Sequence, residues 1–282
     1  MSSHPAAWGA FVVGLVLGLA GFSHSAAAAA PPAKSAPDKN SVDVQLVLAV
    51  DVSLSMSPDE LEIQRKGYAT AMADQRVIDA ITDGTYGRIA VTYVEWAGVQ
   101  TQRIIVPWTF IANRAEAEAF AARLTEEIPQ SARRTSISGG LGFSADLIAE
   151  SGFHAVKRVI DVSGDGPNND GPPIRGVRDR IVAQGIVING LPLMTNGGWT
   201  SAFDVPDLDK YYQNCVIGGP SAFMFPVTSW EQFPEAVRRK LVMELAGDPQ
   251  RLPLVKAAAE PEYDCMIGEK RWNSRSWNLN SP

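Results

Sequence analysis

The sequence predicts an α/β domain with a doubly wound, mostly parallel central sheet flanked by helices. Three observations carry this expectation. Strand-like and helix-like segments alternate from Val42 to about Gly247, the pattern that right-handed βαβ units produce. The first apolar run, Val44-Gln45-Leu46-Val47-Leu48-Ala49-Val50, reads as a buried strand. It ends in Asp51-Val52-Ser53-Leu54-Ser55, and open α/β sheets bind ligands at the carboxyl ends of their strands. With 282 residues, 45% of them hydrophobic and 20% charged, the chain is ample for one large domain with a full core.

The elements follow in order. Residues 58–74 read as a helix, with Pro58 in its first turn and Asp59 and Glu60 favourable to the helix dipole. Residues 88–96 form a strand rich in Val, Ile and Tyr, and 102–108 a second one close enough to pair with it as a hairpin. Residues 113–128 are an Ala- and Glu-rich helix opened by an Asn cap. A helix over 136–150, a strand over 156–162, a helix over 174–184 and a strand over 186–193 come next. A final short strand is expected over 222–227 and a final helix over 230–245. Residues 248–282 are expected to be an irregular tail without a core of its own.

The first thirty residues stand apart. The apolar, Gly-containing stretch 6–22 and the small residues 25–30 resemble a secretory signal peptide, although the segment before them carries only His4. Residues 31–41 read as a flexible linker to a domain over 42–247. Export to the periplasm or outside the cell is expected, with membrane association only if the segment is retained. In an oxidising compartment, Cys215 and Cys265 are expected to pair. The alternative is two unrelated thiols. The net charge of −6 and the pI near 5.2 argue against nucleic acid as a partner.

Asp51, Ser53 and Ser55 alternate along an extended segment and can converge on one point. They offer hard oxygen atoms, suited to Mg²⁺, Mn²⁺ or Ca²⁺ rather than zinc. Two further segments strengthen this. Arg134-Thr135-Ser136-Ile137-Ser138-Gly139-Gly140-Leu141 places hydroxyls before a helix. Arg158-Val159-Ile160-Asp161-Val162-Ser163-Gly164-Asp165-Gly166 is a strand ending in an acid and a glycine. Three such segments in this order resemble the von Willebrand factor A-like domain and its metal-ion-dependent adhesion site. More narrowly, 161–169 and 215–220 resemble an uncharacterised exported bacterial branch of that superfamily. The resemblance implies five ligand positions, at Asp51, Ser53, Ser55, Thr135 and Asp165. Gly164 stands where that family often has Thr. It also implies a divalent cation, Mg²⁺ first with Mn²⁺ or Ca²⁺ as alternatives, completed by a carboxylate from a protein partner.

Each residue also has a plainer reading. Ser55 or Ser57 could cap the helix at Pro58, and Ser136 rivals Thr135 as the ligand. Asp165-Gly166-Pro167-Asn168 could be a turn only. Asp161 could share the face of Ser163 and Asp165, as a buried acid needing a partner.

Enzyme readings rank lower. Beyond the leader only His154 remains, which excludes a histidine-rich zinc centre and leaves one residue for any Ser-His-Asp triad. Gly142-Phe143-Ser144-Ala145-Asp146 misses the second glycine of a nucleophile elbow. Gly140-x-Gly142-x-x-Ala145 follows Arg133, Arg134 and Thr135 rather than a buried strand, so it fails as a dinucleotide fingerprint. A metal-dependent phosphoryl hydrolase, with Arg133 and Arg134 as its clamp, is the serious alternative to a binding protein. A scaffold whose metal is purely structural is the third.

Overall fold

Strand β1 (Ser41–Asp51) lies in the middle of a five-stranded sheet of order β3-β2-β1-β4-β5. It pairs in parallel with β2 (Ile89–Trp96) on one side and β4 (His154–Gly164) on the other. Beyond β4 runs β5 (Val187–Pro192), also parallel. The outer strand β3 (Gln102–Ile111) is antiparallel to β2, as a hairpin connection requires. The chain therefore builds outward on one side of β1 and then crosses to the other. The crevice between the ends of β1 and β4 is the topological switch point, where doubly wound sheets take ligands.

The computed structural model describes residues 38–195, 205–246 and 263–279. The expected signal segment over 1–30 and most of the linker lie outside them. Ser41, assigned to the linker by sequence, begins β1.

Alternation along β1 sends Leu46, Leu48 and Val50 to one face and Val47 and Ala49 to the other. Helices α1 (Pro58–Met72), α2 (Gln75–Thr82), α3 (Arg114–Leu124) and α7 (Phe233–Leu245) contribute to the first core layer, with Tyr68, Phe120 and Phe233 at its centre. Helices α4 (Ile137–Glu150), α5 (Ile174–Ala183) and the short α6 (Leu208–Tyr211) cover the second face. No described helix is long and apolar enough to cross a membrane.

Local chemistry explains where helices begin. Ser57 and Glu60 form a reciprocal capping box ahead of α1. Asn113 caps α3 and Ser136 caps α4. Helix α2 was not expected. Asp74 accepts a hydrogen bond from the Arg76 N–H, and Val77, Ile78 and Ile81 then turn one apolar face to the core. That cap-and-spacing signal is present in the sequence, but the element is only eight residues long.

Two expectations are corrected. The strand over 222–227 is reduced to isolated bridges, Gly190 with Met224 and Leu193 with Val227. Pro226 interrupts it, since proline has no N–H to give to a ladder. The tail is not irregular throughout, because Ile267–Leu279 forms helix α8. Packing is what orders it. Cys265 is bonded to Cys215 in the π-helical turn after α6. Tyr263 donates to Asp207 at 3.0 Å, and Asn168 donates to Glu269 at 2.8 Å. Gly268 lies so close to Asn168 that a Cβ there would run into its carbonyl.

Candidate metal centre

At the end of β1, Asp51 points to the α4 and α5 face and is fully buried. Its Oδ1 accepts the Ser53 N–H at 2.7 Å, which folds the Asp-x-Ser segment back on itself. The Ser53 and Ser55 hydroxyls lie 2.9 Å apart, and Ser55 donates to Asp165 Oδ1 at 2.8 Å. Four of the five expected residues are thus joined into one chain of oxygen atoms between β1 and β4. Thr135 lines the same pocket from the loop before α4, beside Ser53, Ser55 and Asp165. It is held by backbone bonds in both directions with Asn169: its N–H donates to Asn169 Oδ1 at 3.0 Å, and its carbonyl accepts from the Asn169 N–H at 2.8 Å. Its place in the group rests on position.

Ser136 does not compete for the ligand role. Its hydroxyl is buried, accepts the Gly139 N–H at 3.1 Å and donates to the Asp170 carbonyl at 2.8 Å. Ser57 is likewise committed to its cap. Asp161 belongs to a different cluster. Strand alternation turns it to the opposite face of the sheet, where Lys240 of α7 meets it. His154 is exposed, with Nδ1 3.1 Å from Asp38 Oδ2.

Burial first, and then the charge of Asp165, push the Asp51 carboxyl well above the usual carboxylate range. Asp51 Oδ2 is buried with no hydrogen-bond partner among the described residues. An orphaned carboxylate oxygen beside a second acid is the condition that a cation relieves. The donors are hard oxygens, which fits Mg²⁺, Mn²⁺ or Ca²⁺. Among the described residues no cluster of three His, Cys, Asp or Glu side chains offers a rival metal cage.

Several neighbours had no signature in the sequence. Gln64 of α1 donates to the Asp51 carbonyl at 3.1 Å. Tyr212 lies with its hydroxyl against Gly164, where burial and the nearby Asp51 push its phenol up. A Cβ on Gly164 would stand 3.0 Å from both Asp51 Oδ2 and the Tyr212 oxygen. That crowding explains why glycine suits this position. Trp272 of α8 forms part of the pocket wall and lies 3.7 Å below the Arg134 guanidinium. No periodicity of the tail announces it.

Comparisons with known proteins bear on the family and the fold. A family model described as "Protein of unknown function (DUF1194)" matches residues 41–249. No curated protein matches the chain. Among solved structures, proximal thread matrix protein 1 from the mussel byssus is similar at a TM-score of 0.53 and 16% identity, over 73% of this chain and 48% of that one. A form of it "with zinc occupied MIDAS motif" matches at a TM-score of 0.50 and 14% identity, over 73% and 48%. The pilus adhesin SpaC from Lactobacillus rhamnosus GG matches at 0.51 and 12%, over 72% and 30%. At these identities the likeness shows the fold alone, and the chain spans about half or less of the solved chains named here. The fold is that of a von Willebrand factor A-like domain.

Proposed function

We propose, for a chain that belongs to the DUF1194 family, an exported, non-enzymatic binding protein. In this reading Asp51, Ser53, Ser55, Thr135 and Asp165 hold a divalent cation, and an acidic group of a protein partner completes its coordination. The observation that carries the reading is the buried, unpartnered Asp51 oxygen at the end of the Ser53–Ser55–Asp165 chain. Neutral hydroxyls, with the two acids offset by Arg133 and Arg134 at the pocket, hold such an ion without saturating its coordination, so it can take one more anion.

The chain's own residues divide the work. Asp51 and Asp165 supply the negative charge. Ser53 and Ser55 are positioned by the turn that the Ser53 N–H closes on Asp51. Asn169 fixes the Thr135 backbone from the loop after β4. The fold relatives support a binding role, since one is named as a byssus matrix protein with an occupied MIDAS motif and another as a pilus adhesin. Mg²⁺ is the expected ion, with Mn²⁺ or Ca²⁺ next. The signal-like leader supports export.

The test is capture of partners from exported material on immobilised protein, in Mg²⁺ and in chelator. Partners retained in Mg²⁺, lost in chelator and lost in Asp51→Ala support the reading. Retention that ignores both sinks it. Arg133 and Arg134 at the pocket favour one second reading, a phosphoryl hydrolase. Phosphate release from a simple phosphoester by the wild type, absent in Asp51→Ala, would put that reading first.

A further inference from the structure

The oxygen cluster opens into a pocket of about 650 Å³, within the range typical of ligand sites. Its walls are not neutral. Arg133 and Arg134 line it, with Asp165 the single acid among the described lining residues. Asp51 is buried beneath. Among these four described groups the two guanidinium groups offset the two acids, so a bound divalent cation adds an excess of two positive charges to them. One carboxylate on the cation answers only half of that excess.

The loop that presents the arginines is held under strain. Arg134 has φ of 75°, in the left-handed region that side chains other than glycine rarely occupy. Its flanks are pinned on both sides. The Ala132 N–H donates to the Val52 carbonyl at 2.9 Å, the Ser136 N–H donates to the Ala97 carbonyl at 2.7 Å, and Thr135 is tied to Asn169. The Arg134 guanidinium then stacks on Trp272, an aromatic surface supplied by the disulfide-anchored α8. Arg133 is exposed at the same wall, and no hydrogen bond or ion pair among the described residues engages it. Exposed Leu54 and the buried Pro167 give the pocket an apolar side.

We propose that this pocket recognises an acidic peptide segment bearing two neighbouring carboxylates, one directed to the oxygen cluster and the other to Arg133, with Leu54, Pro167 and Trp272 covering the stem between them. The proposal rests on the cation-binding reading above and narrows its partner from any acid to a paired one. Arg133 suits the second carboxylate because a guanidinium offers a planar fork of donors that matches it bidentately.

The experiment uses the full mature chain and labelled short peptides followed by fluorescence anisotropy. One peptide carries two glutamates, a second has one of them replaced by glutamine, and each is measured in Mg²⁺ and in chelator. The two-acid peptide is expected to bind roughly tenfold tighter in Mg²⁺, the worth of one charge-assisted hydrogen-bonded contact. Arg133→Gln should collapse that ratio toward one, and Arg133→Lys should restore part of it. Equal binding of the two peptides, or a ratio that survives Arg133→Gln, overturns the proposal while leaving the cation-binding reading intact. A ratio that depends on Arg133 but ignores chelator overturns the cation-binding reading and keeps the arginine subsite. Inorganic phosphate displacing the two-acid peptide at equal concentration would also overturn the proposal, since a single compact anion would then satisfy the pocket.

Discussion

Two acid pairs lie on opposite faces of the same sheet, and they differ in what surrounds their carboxylates. On the α1 and α7 face, Asp161 and Glu244 share the ammonium of Lys240, which is 2.5 Å from Glu244 Oε1 and also in contact with Asp161. All three are fully buried. Asn189 adds a hydrogen bond to the same Glu244 oxygen at 2.8 Å. On the α4 and α5 face, Asp51 and Asp165 are linked through Ser53 and Ser55: Asp51 Oδ1 accepts the Ser53 N–H, the two serine hydroxyls meet, and Ser55 donates to Asp165 Oδ1. The first pair carries its counter-ion on a helix and is sealed. The second borders a pocket through Asp165, and its Asp51 Oδ2 is buried without a hydrogen-bond partner. Buried acids are tolerated when paired, so the unpartnered Asp51 oxygen is the feature on which the cation-binding proposal rests.

The comparison breaks most sharply at Lys240. Lys240→Met leaves two buried carboxylates uncompensated and is expected to cost about 3–5 kcal/mol at neutral pH, read as a drop in the urea midpoint. An unchanged midpoint would mean that the internal ammonium is not what makes the sealed cluster tolerable. The open pair should respond to the ion instead. Mg²⁺ at a hundred times its Kd should stabilise the wild type by about 2.7 kcal/mol. Asp51→Ala and Asp165→Ala should abolish that gain while Lys240→Met retains it. Equal stabilisation of Asp51→Ala by Mg²⁺ would move the ion to another site.

The pH dependence sharpens the contrast further. Burial, and then Glu244, raise the Asp161 carboxyl from its ordinary 3.8 to about 7, against the opposing pull of Lys240. Between those two values the folded protein retains a proton that the unfolded chain has released. Stability from this group is therefore present below the lower value and is lost as pH rises through the upper one. In chelator, urea melts between about pH 4 and about pH 7 should show Asp161→Asn losing less stability with rising pH than the wild type. Parallel slopes would refute the assignment. The smallest effect is expected at Thr135. Removing its hydroxyl in Thr135→Ala should weaken Mg²⁺ binding by about 1 kcal/mol, the scale of one neutral oxygen contact, with little change in the metal-free melt. Titration calorimetry giving wild-type affinity would remove Thr135 from the ligand set.

Most of the sheet was legible because β1, β2 and β4 announce themselves as apolar runs, and burial on both faces demands such runs. The strand over 222–227 misled because β-rich composition says nothing of hydrogen-bond supply, and Pro226 removes a donor there. Helix α8 was illegible because its order comes from the Cys215–Cys265 bond and from contacts with Asn168, all distant in sequence. Asp161 shows the reverse limit. Its spacing from Ser163 and Asp165 fits one shared face of an extended strand, but the partner that defines it, Lys240, comes from α7.

Residue order alone carried the doubly wound class and the Asp-x-Ser-x-Ser turn at a strand end. These are local properties, set by side-chain spacing along one strand or loop. Packing alone decided that Ser136 is a cap, that Gly164 must be small beside Asp51 and Tyr212, and that Arg134 and Trp272 meet above the oxygen cluster. Each of those depends on elements far apart in the chain being pressed together. Short-range pattern does not encode that, because its periods describe which way a side chain points and not what it will find there.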